Sequence, residues 1–249
     1  MVTKSEVKYI QSLAHKKFRD EEKLFVLEGV KIVGELLNEF PNRVKKLFAL
    51  ESWIVMHSSI VPASVELIAV LPYELEKISF LQHPNEVLAL VDMPDLTQTQ
   101  PSVNGITLVL DQLQDPGNLG TIIRTCDWFG IKQIICSVDT VDAFNPKVVQ
   151  AAMGSIMRID IIYTDLIDFL PSLKGVPIYA AVLHGESVFK TNFLSPCFLL
   201  VGNESKGISE ELLSMSSNKI TIPKIGAAES LNAAVATGII LAEMSADII

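Results

Sequence analysis

Residues 108–130 read LVLDQLQDPGNLGTIIRTCDWFG and decide how the second half of the chain folds. An apolar run ends at Asp111, a loop carries the residues DPGN at 115–118, and a helical pattern follows. This order predicts a strand–loop–helix unit of an α/β sheet. Arg124 is the one arginine of the helix and lies in its second turn. A guanidinium fork suits a phosphate or a carboxylate, so the helix is a candidate binding element.

The spacing along this helix predicts two different faces. Thr121, Arg124 and Trp128 fall on one side at positions i, i+3 and i+7. The opposite, apolar side is formed by Leu119, Ile122, Ile123 and Cys126. Asn118 is predicted to cap the helix by accepting a backbone N–H. Arg124 should then point away from the core, with a salt bridge to a nearby aspartate as the alternative to a ligand.

Strand-length apolar runs recur after residue 106, with helical patterns between most of them. The runs are ITLVLD, KQIICS, GVPIYAAV, PCFLLV and NKITIP. Runs that are apolar throughout indicate strands covered on both faces. The expected fold is therefore α/β, a mostly parallel sheet with helices on both faces.

Residues 1–92 are predicted to form a separate, small α/β domain. Helices surround a short strand at 24–27, an amphipathic helix covers 30–40, and three strand-like runs follow near 46–50, 66–70 and 87–91. Residues 93–105, MPDLTQTQPSVNG, contain two prolines and no periodicity, which is typical of a linker. Residues 106–249 then form the second domain.

The charge of the chain is unevenly distributed. The 249 residues carry a net charge of −9, but residues 1–46 hold ten basic and seven acidic side chains. A basic end on an acidic body is suited to contact a polyanion such as RNA, with Lys16, Lys17, Arg19 and Lys23 as the expected contacts. A solvated helix face explains the same charges and is the alternative.

Three cysteines, Cys126, Cys136 and Cys197, lie far apart in or beside apolar runs. They lack metal-site spacing, so buried, reduced thiols are expected. The first residues lack the apolar core of a signal peptide, and the apolar stretch at 233–242 is too short to span a bilayer. A cytoplasmic protein without a metal or a membrane partner is therefore expected.

Two further loops follow predicted strands, and ligands of parallel sheets bind beyond the carboxyl ends of the strands. In residues 202–207, GNESKG, two glycines bracket Asn203 and Glu204, which indicates a tight loop. In the last loop Pro223 closes a strand, and either Ser230 or Asn232 begins a helix rich in small residues.

The three loops together resemble one enzyme family. Their motifs are, in chain order, Asn118-x-Gly120-x-x-x-Arg124, Gly202-Asn203-Glu204-x-x-Gly207 and Ile222-Pro223 followed by Ser230-Leu231-Asn232. This pattern is similar to the SpoU (TrmH-like) branch of the SPOUT RNA methyltransferases over residues 106–249. Residues 1–92 resemble, more weakly, the small substrate-binding domain that precedes many members.

The resemblance implies a C-terminal trefoil knot and a methyl transfer from S-adenosylmethionine to a ribose 2′-hydroxyl of tRNA or rRNA. It also implies a homodimer built by the C-terminal domain, in which Arg124 is the catalytic arginine and acts across the interface. The other active-site positions implied by the motifs are Asn118, Glu204, Ser230 and Asn232. The implied cofactor-binding residues are Leu183, Gly202, Ile222, Ser230 and Leu231.

Two other functions compete with this interpretation. One is an RNA-binding or ribosome-assembly factor that keeps the fold without the reaction, which the retained polar residues of the three motifs disfavour. The other is an ordinary nucleotide-dependent α/β enzyme, which the missing Gly-x-Gly-x-x-Gly after the first strand of the second domain disfavours.

Overall fold

The computed structural model describes residues 2–96, 99, 104–173 and 175–246. Two compact units are formed, Met1–Asp95 with Phe144–Met157, and Leu96–Ala143 with Arg158–Ile249. Residues 144–157, expected in the second domain, thus belong to the first unit. The predicted linker 93–105 lies partly outside the described residues, and the boundaries at 92 and 106 stay predictions.

The first unit is built on a four-stranded mixed sheet. Its strands, in the spatial order β1-β4-β2-β3, are β1 Leu24–Glu28, β4 Val87–Asp92, β2 Val44–Ala49 and β3 Glu66–Ala69. Only β2 and β3 run parallel. Its helices are α1 Lys4–Ser12, α2 Lys16–Glu22, α3 Val30–Glu39, α4 Glu51–His57, α5 Pro72–Ile78 and α7 Pro146–Ala152. The short strands and the helix over 30–40 are confirmed.

The core of the first unit forms between the sheet and its first helices. Ile10 and Leu13 from the N-terminal end pack with Phe48 of β2 and Leu88 of β4, and all four side chains are buried. Below this core, the carboxylate of Glu28 accepts hydrogen bonds from the Ser79 hydroxyl and from the Phe80 N–H. Burial raises the pKa of Glu28, and these two donors oppose that shift by stabilising its charged form.

The second unit contains a six-stranded sheet whose paired strands all run parallel. The strands, in the spatial order β10-β8-β9-β5-β6-β7, are β10 Asn218–Thr221, β8 Ile178–Ser187, β9 Cys197–Val201, β5 Ile106–Leu110, β6 Gln133–Ser137 and β7 Asp160–Thr164. Its helices are α6 Pro116–Trp128, α8 Leu166–Phe169, α9 Glu210–Met215 and α10 Ala233–Met244. The α/β fold with a mostly parallel sheet is confirmed, and β7 is an edge strand outside the five predicted runs.

The strand β8 leaves regular pairing before its end. Ala180 pairs with Lys219, but the next pair along β10 joins Glu186 to Ile220, so an intervening part of β8 bulges out of the ladder. Gly185 allows this, because a Cβ there would lie 2.5 Å from the Lys219 carbonyl oxygen. The bulge places Leu183 at the surface beside the end of β10.

The centre of the second sheet is fully covered. Val109, Ile135, Phe198 and Leu200 of neighbouring strands form one buried cluster with residues of α8 and α9. Burial raises the pKa of the Cys197 thiol to about 11 and also raises those of Cys126 and Cys136. Buried free thiols are therefore confirmed. Nowhere in the described ranges is a helix both long and apolar enough to cross a membrane.

Candidate functional site

The helix α6 begins with Asp115 as its N-cap. The Asp115 carboxylate accepts a hydrogen bond of 2.7 Å from the Asn118 N–H, and Pro116 occupies the first helical position. The prediction that Asn118 caps this helix is therefore wrong. An aspartate followed by proline was the stronger start signal, since both residue types favour these two positions. Because Asp115 takes the capping role, the Asn118 side chain is available for contacts outside the helix.

Three side chains from the three predicted loops meet at the carboxyl edge of the second sheet. Asn118 Nδ2 donates to Glu204 Oε1 at 2.9 Å, and Asn232 Nδ2 donates to Asn118 Oδ1 at 2.8 Å. We refer to Asn118, Glu204 and Asn232 as the polar trio. Each follows a different strand, β5, β9 or β10, so the sheet itself brings them together.

The polar trio ends on a helix N-terminus. Asn232 is the N-cap of α10, and its Oδ1 accepts hydrogen bonds from the N–H groups of Ala234 and Val235. A chain of hydrogen bonds therefore runs from the positive end of α10 through two amides to the carboxylate of Glu204. Bonds aligned in this way polarise one another and strengthen the chain as a whole. Ser230, two residues earlier, is exposed and lies outside this chain of bonds.

The loop that carries Glu204 is closed on itself. Asn203 and Gly207 exchange two backbone hydrogen bonds of 3.0 and 2.9 Å, and Gly207 has a φ of +70°. A Cβ on Gly202 would lie 2.3 Å from the Gly207 carbonyl carbon and from the Ile208 nitrogen. The tight loop predicted from the two glycines is confirmed. A glycine is required at Gly202 because the backbone at the end of the same loop passes directly beside it.

The other predicted cofactor positions lie along the same edge. The Thr221 hydroxyl donates to the Leu183 carbonyl at 3.1 Å, which places Leu183 next to Ile222. Residues 223–231 are exposed, and their backbone makes no hydrogen bond to any residue within the described ranges. Exposed Leu183 and Leu231 add apolar surface to these free backbone groups. Backbone donors and acceptors beside apolar side chains suit an adenosine-containing ligand.

Arg124 lies outside the polar trio. It is exposed on α6, six residues after Asn118, which is about 9 Å along the helix and about 120° around it. Among the residues that the structure describes, it makes no hydrogen bond and no ion pair, so the alternative of a salt bridge to an aspartate is not formed there. The predicted separation of faces is confirmed, because Thr121 and Trp128 are exposed and the apolar side of the helix is buried.

The helices α6 and α10 lie side by side and run in the same direction. They meet near their starts through Asn118 and Asn232, and further along where a Cβ on Gly238 would be 3.8 Å from Thr125 Cγ2. The outward faces keep apolar groups at the surface. Trp128 is 85% exposed and Val235 is 52% exposed.

Possible metal ligands do not cluster at this edge. Over the described ranges, no group of three or more His, Cys, Asp or Glu side chains is arranged to hold a metal ion. The site is therefore characterised by amide, carboxylate, guanidinium and backbone groups.

Comparison with known proteins shows which family the chain is similar to. The model of the SpoU rRNA Methylase family matches residues 105–242, and that of the MRM3-like substrate binding domain matches residues 4–89. The 23S rRNA (guanosine(2553)-2′-O)-methyltransferase RlmP of Bacillus subtilis is 32% identical over 243 residues, covering 94% of each chain.

Two solved structures are similar over nearly the whole chain. The S-adenosylmethionine-bound rRNA methyltransferase of Sinorhizobium meliloti has a TM-score of 0.87 at 32% identity, covering 100% of this chain and 97% of that one. The SpoU methyltransferase AviRb of Streptomyces viridochromogenes, in complex with the same cofactor, has a TM-score of 0.84 at 28% identity, covering 99% and 98%. With its three motifs meeting at one sheet edge, the chain belongs to the SpoU rRNA Methylase family.

Proposed function

We propose that the protein transfers a methyl group from S-adenosylmethionine to a ribose 2′-hydroxyl of ribosomal RNA. The observation that carries this proposal is the polar trio, which joins the three family motifs by hydrogen bonds. The names of the relatives, which include 2′-O-methyltransferases acting on 23S rRNA, support the same reaction. A transfer RNA substrate is the second possibility that the sequence left open.

The sulfonium of S-adenosylmethionine supplies an already activated methyl group. The protein must then align the ribose hydroxyl and favour the loss of its proton, since this hydroxyl is a very weak acid. The guanidinium of Arg124 is suited to stabilise the developing alkoxide or to hold the adjacent phosphate. We assign Arg124 this electrostatic role, because an arginine keeps its proton at neutral pH and is a poor general base.

The polar trio positions groups around the reacting hydroxyl. Both polar groups of the Asn118 side-chain amide are bound. Its nitrogen donates to Glu204 and its oxygen accepts from Asn232, so the orientation of the amide is fixed. Glu204 is exposed, and its second carboxylate oxygen has no hydrogen-bond partner among the described residues, so it can accept a hydrogen bond from the substrate. Exposed Ser230 adds a hydroxyl in the adjoining loop. We therefore propose Asn118, Glu204, Ser230 and Asn232 as active-site residues.

The cofactor is proposed to lie along residues 222–231, against the loop that starts at Gly202. Leu183, Ile222 and Leu231 would contact the adenosine, and the unbonded backbone of residues 223–231 would supply hydrogen bonds to it. A C-terminal trefoil knot, which the resemblance to the family implies, stays part of this proposal for the segment that carries these loops.

A homodimer through α6 and α10 is proposed to complete the site. Arg124 points away from its own polar trio, and exposed apolar groups flank it on the same pair of helices. Exposed apolar surface of this kind marks protein interaction sites. A partner seated on this face would bring one Arg124 to the other subunit's cofactor loop.

The first unit is proposed to bind RNA through its N-terminal lysines. Lys16 and Lys17 are exposed on α2, where they also pair with acidic residues one turn later. Arg19, expected among the RNA contacts, is only 2% exposed and donates to the Leu13 carbonyl at 2.6 Å. That expectation is wrong for Arg19, whose guanidinium serves the fold. A cytoplasmic location stays a prediction.

The test is methyl transfer from labelled S-adenosylmethionine to rRNA transcribed in vitro. We expect label in alkali-resistant dinucleotides, because a 2′-O-methyl group blocks cleavage of the adjacent phosphodiester. Glu204→Gln should lower the rate by about 100-fold or more. Glu211→Gln, at an exposed acid of α9, is the matched control and should keep the wild-type rate.

Two outcomes would contradict this function. Tight RNA and cofactor binding without any transfer would favour an assembly factor that has kept only the fold. Label in alkali-sensitive nucleotides would place the methyl group on a base instead of the ribose.

A further inference from the structure

The connection from β5 to α6 contains a residue in an unusual backbone conformation. Gln112 has a φ of +52°, in the left-handed region that side chains other than glycine and asparagine rarely occupy. Residues are held in such conformations when the surrounding structure determines them, often at functional sites. The hydrogen bonds of Gln112 show what holds it.

Both backbone groups of Gln112 are bound by side chains of neighbouring strand ends. Its N–H donates to Ser137 Oγ at 2.8 Å, at the end of β6, and its carbonyl accepts from Asn203 Nδ2 at 2.7 Å, after β9. Ser137 Oγ lies 3.0 Å from the Thr140 hydroxyl, which is also close to the Leu110 carbonyl. Gln112 therefore links the ends of three adjacent strands.

The amide of Asn203 has two separate tasks. Its Oδ1 accepts hydrogen bonds from the N–H groups of Ser205 and Lys206, at 2.9 and 3.1 Å, and so shapes the turn that carries Glu204. Its Nδ2 fastens that turn to Gln112. The far end of the loop is fastened to β5 as well, since buried Asp111 accepts from the Ser209 N–H at 2.8 Å.

We propose that Asn203 is a positioning residue for methyl transfer, because its Nδ2 bond to Gln112 sets the loop of Glu204 against the helix of Asn118. The inference rests on the active-site roles proposed above for Glu204 and Asn118. Their bond of 2.9 Å joins residues on two loops, so it forms only when both loops hold their relative place. Asn203 provides the direct tie at the start of the Glu204 loop, and the bond from Ser209 to Asp111 provides the one at its far end.

Asn203→Asp separates the two tasks of the amide. A carboxylate still accepts from Ser205 and Lys206, but it has no proton to donate and repels the Gln112 carbonyl. The single-turnover rate at saturating RNA and cofactor should fall by roughly 10- to 100-fold, as expected when reacting groups shift by up to about 1 Å. The dissociation constants for S-adenosylmethionine and RNA, and the melting temperature, should stay near those of the wild type.

Ser205→Ala is the matched control, because this exposed residue takes part in the turn only through its backbone N–H. It should keep the wild-type rate. Ser137→Ala is a second, milder variant that tests the same tie from its other side and should lower the rate in the same direction by a smaller factor.

Three results would overturn the proposal. A wild-type rate in Asn203→Asp would limit Asn203 to shaping the turn. Equal losses of rate, cofactor affinity and melting temperature in both Asn203→Asp and Ser137→Ala would show a general role in folding. A wild-type rate in Glu204→Gln would remove the proposed role of Glu204 and, with it, the basis of this inference.

Discussion

At the scale of single residues, the distance between Arg124 and the polar trio is the most informative feature. Asn118 and Arg124 share a helix, yet only Asn118 turns toward Glu204 and Asn232. An arginine left exposed at the rim of a site stabilises a reaction only if the substrate or another subunit reaches it. Mixed dimers can therefore show whether Arg124 acts in the active site of its own subunit or in that of the partner subunit.

Arg124→Ala should lower methyl transfer by about 100- to 1,000-fold, the usual cost of losing one preorganised electrostatic donor. Arg124→Lys should recover little, because an ammonium lacks the planar fork. Co-expression of Arg124→Ala with Glu204→Gln, carrying different tags, should return about a quarter of the wild-type activity. Half of the dimers would be mixed, and each mixed dimer would have one complete site.

As controls, each variant alone should be nearly inactive and should melt close to the wild-type temperature. Mixed dimers without recovered activity would mean that Arg124 serves the site of its own subunit. A folded Arg124→Ala protein with normal turnover would take the arginine out of the reaction altogether.

At the scale of elements, the loop after β9 depends on a close approach of two backbone segments. Gly202→Ala would place a methyl group about where the Gly207–Ile208 peptide lies. Because backbone has to move, we expect a loss of roughly 1–3 kcal/mol in the free energy of unfolding and weaker binding of S-adenosylmethionine. Thermal unfolding and calorimetric titration measure the two effects.

Gly34→Ala is the control for this substitution. Gly34 lies in α3 with nothing within 4 Å of its added Cβ, so alanine should stabilise the protein by up to about 1 kcal/mol. An unchanged cofactor affinity in Gly202→Ala would place the cofactor away from this loop.

Most elements could be predicted from the sequence, because apolar runs and helical spacing are local properties. The strand order could not, since β10 and β8 pair across about forty residues and no local pattern specifies that partner. The hydrogen bonds of the polar trio could not be predicted from local patterns either. Its hydrogen bonds join residues 86 and 114 positions apart, and only the resemblance to a family placed them in one site. The tie through Gln112 had no sequence signal, because it uses backbone groups of an ordinary glutamine.

At the scale of the whole molecule, the paired helices α6 and α10 present the surface on which a second subunit is proposed to dock. Trp128→Glu should raise the dimer dissociation constant by about 100-fold or more, because a carboxylate without a partner would replace the exposed indole that the proposed interface covers. Light scattering across a concentration series reports the mass, and methyl transfer should be lost together with the dimer.

Val55→Glu is the matched control for this surface. Val55 is 74% exposed on α4 of the first unit, so a charge there should change neither mass nor activity. If Val55→Glu dissociates the protein and Trp128→Glu does not, the dimer is built by the first unit.

The burial of the three cysteines also makes thiol labelling a measure of unfolding in one of the two units. Cys126, Cys136 and Cys197 all lie in the second unit, and the first unit has no cysteine. A thiol reacts as its thiolate, which burial suppresses at each of these positions. A thiol-alkylating reagent therefore modifies the cysteines only while the second unit is unfolded around them. The labelling rate then measures how often such unfolding exposes each thiol. The first unit, which has no cysteine, contributes no signal to such an experiment, so no engineered label is needed to tell the two units apart.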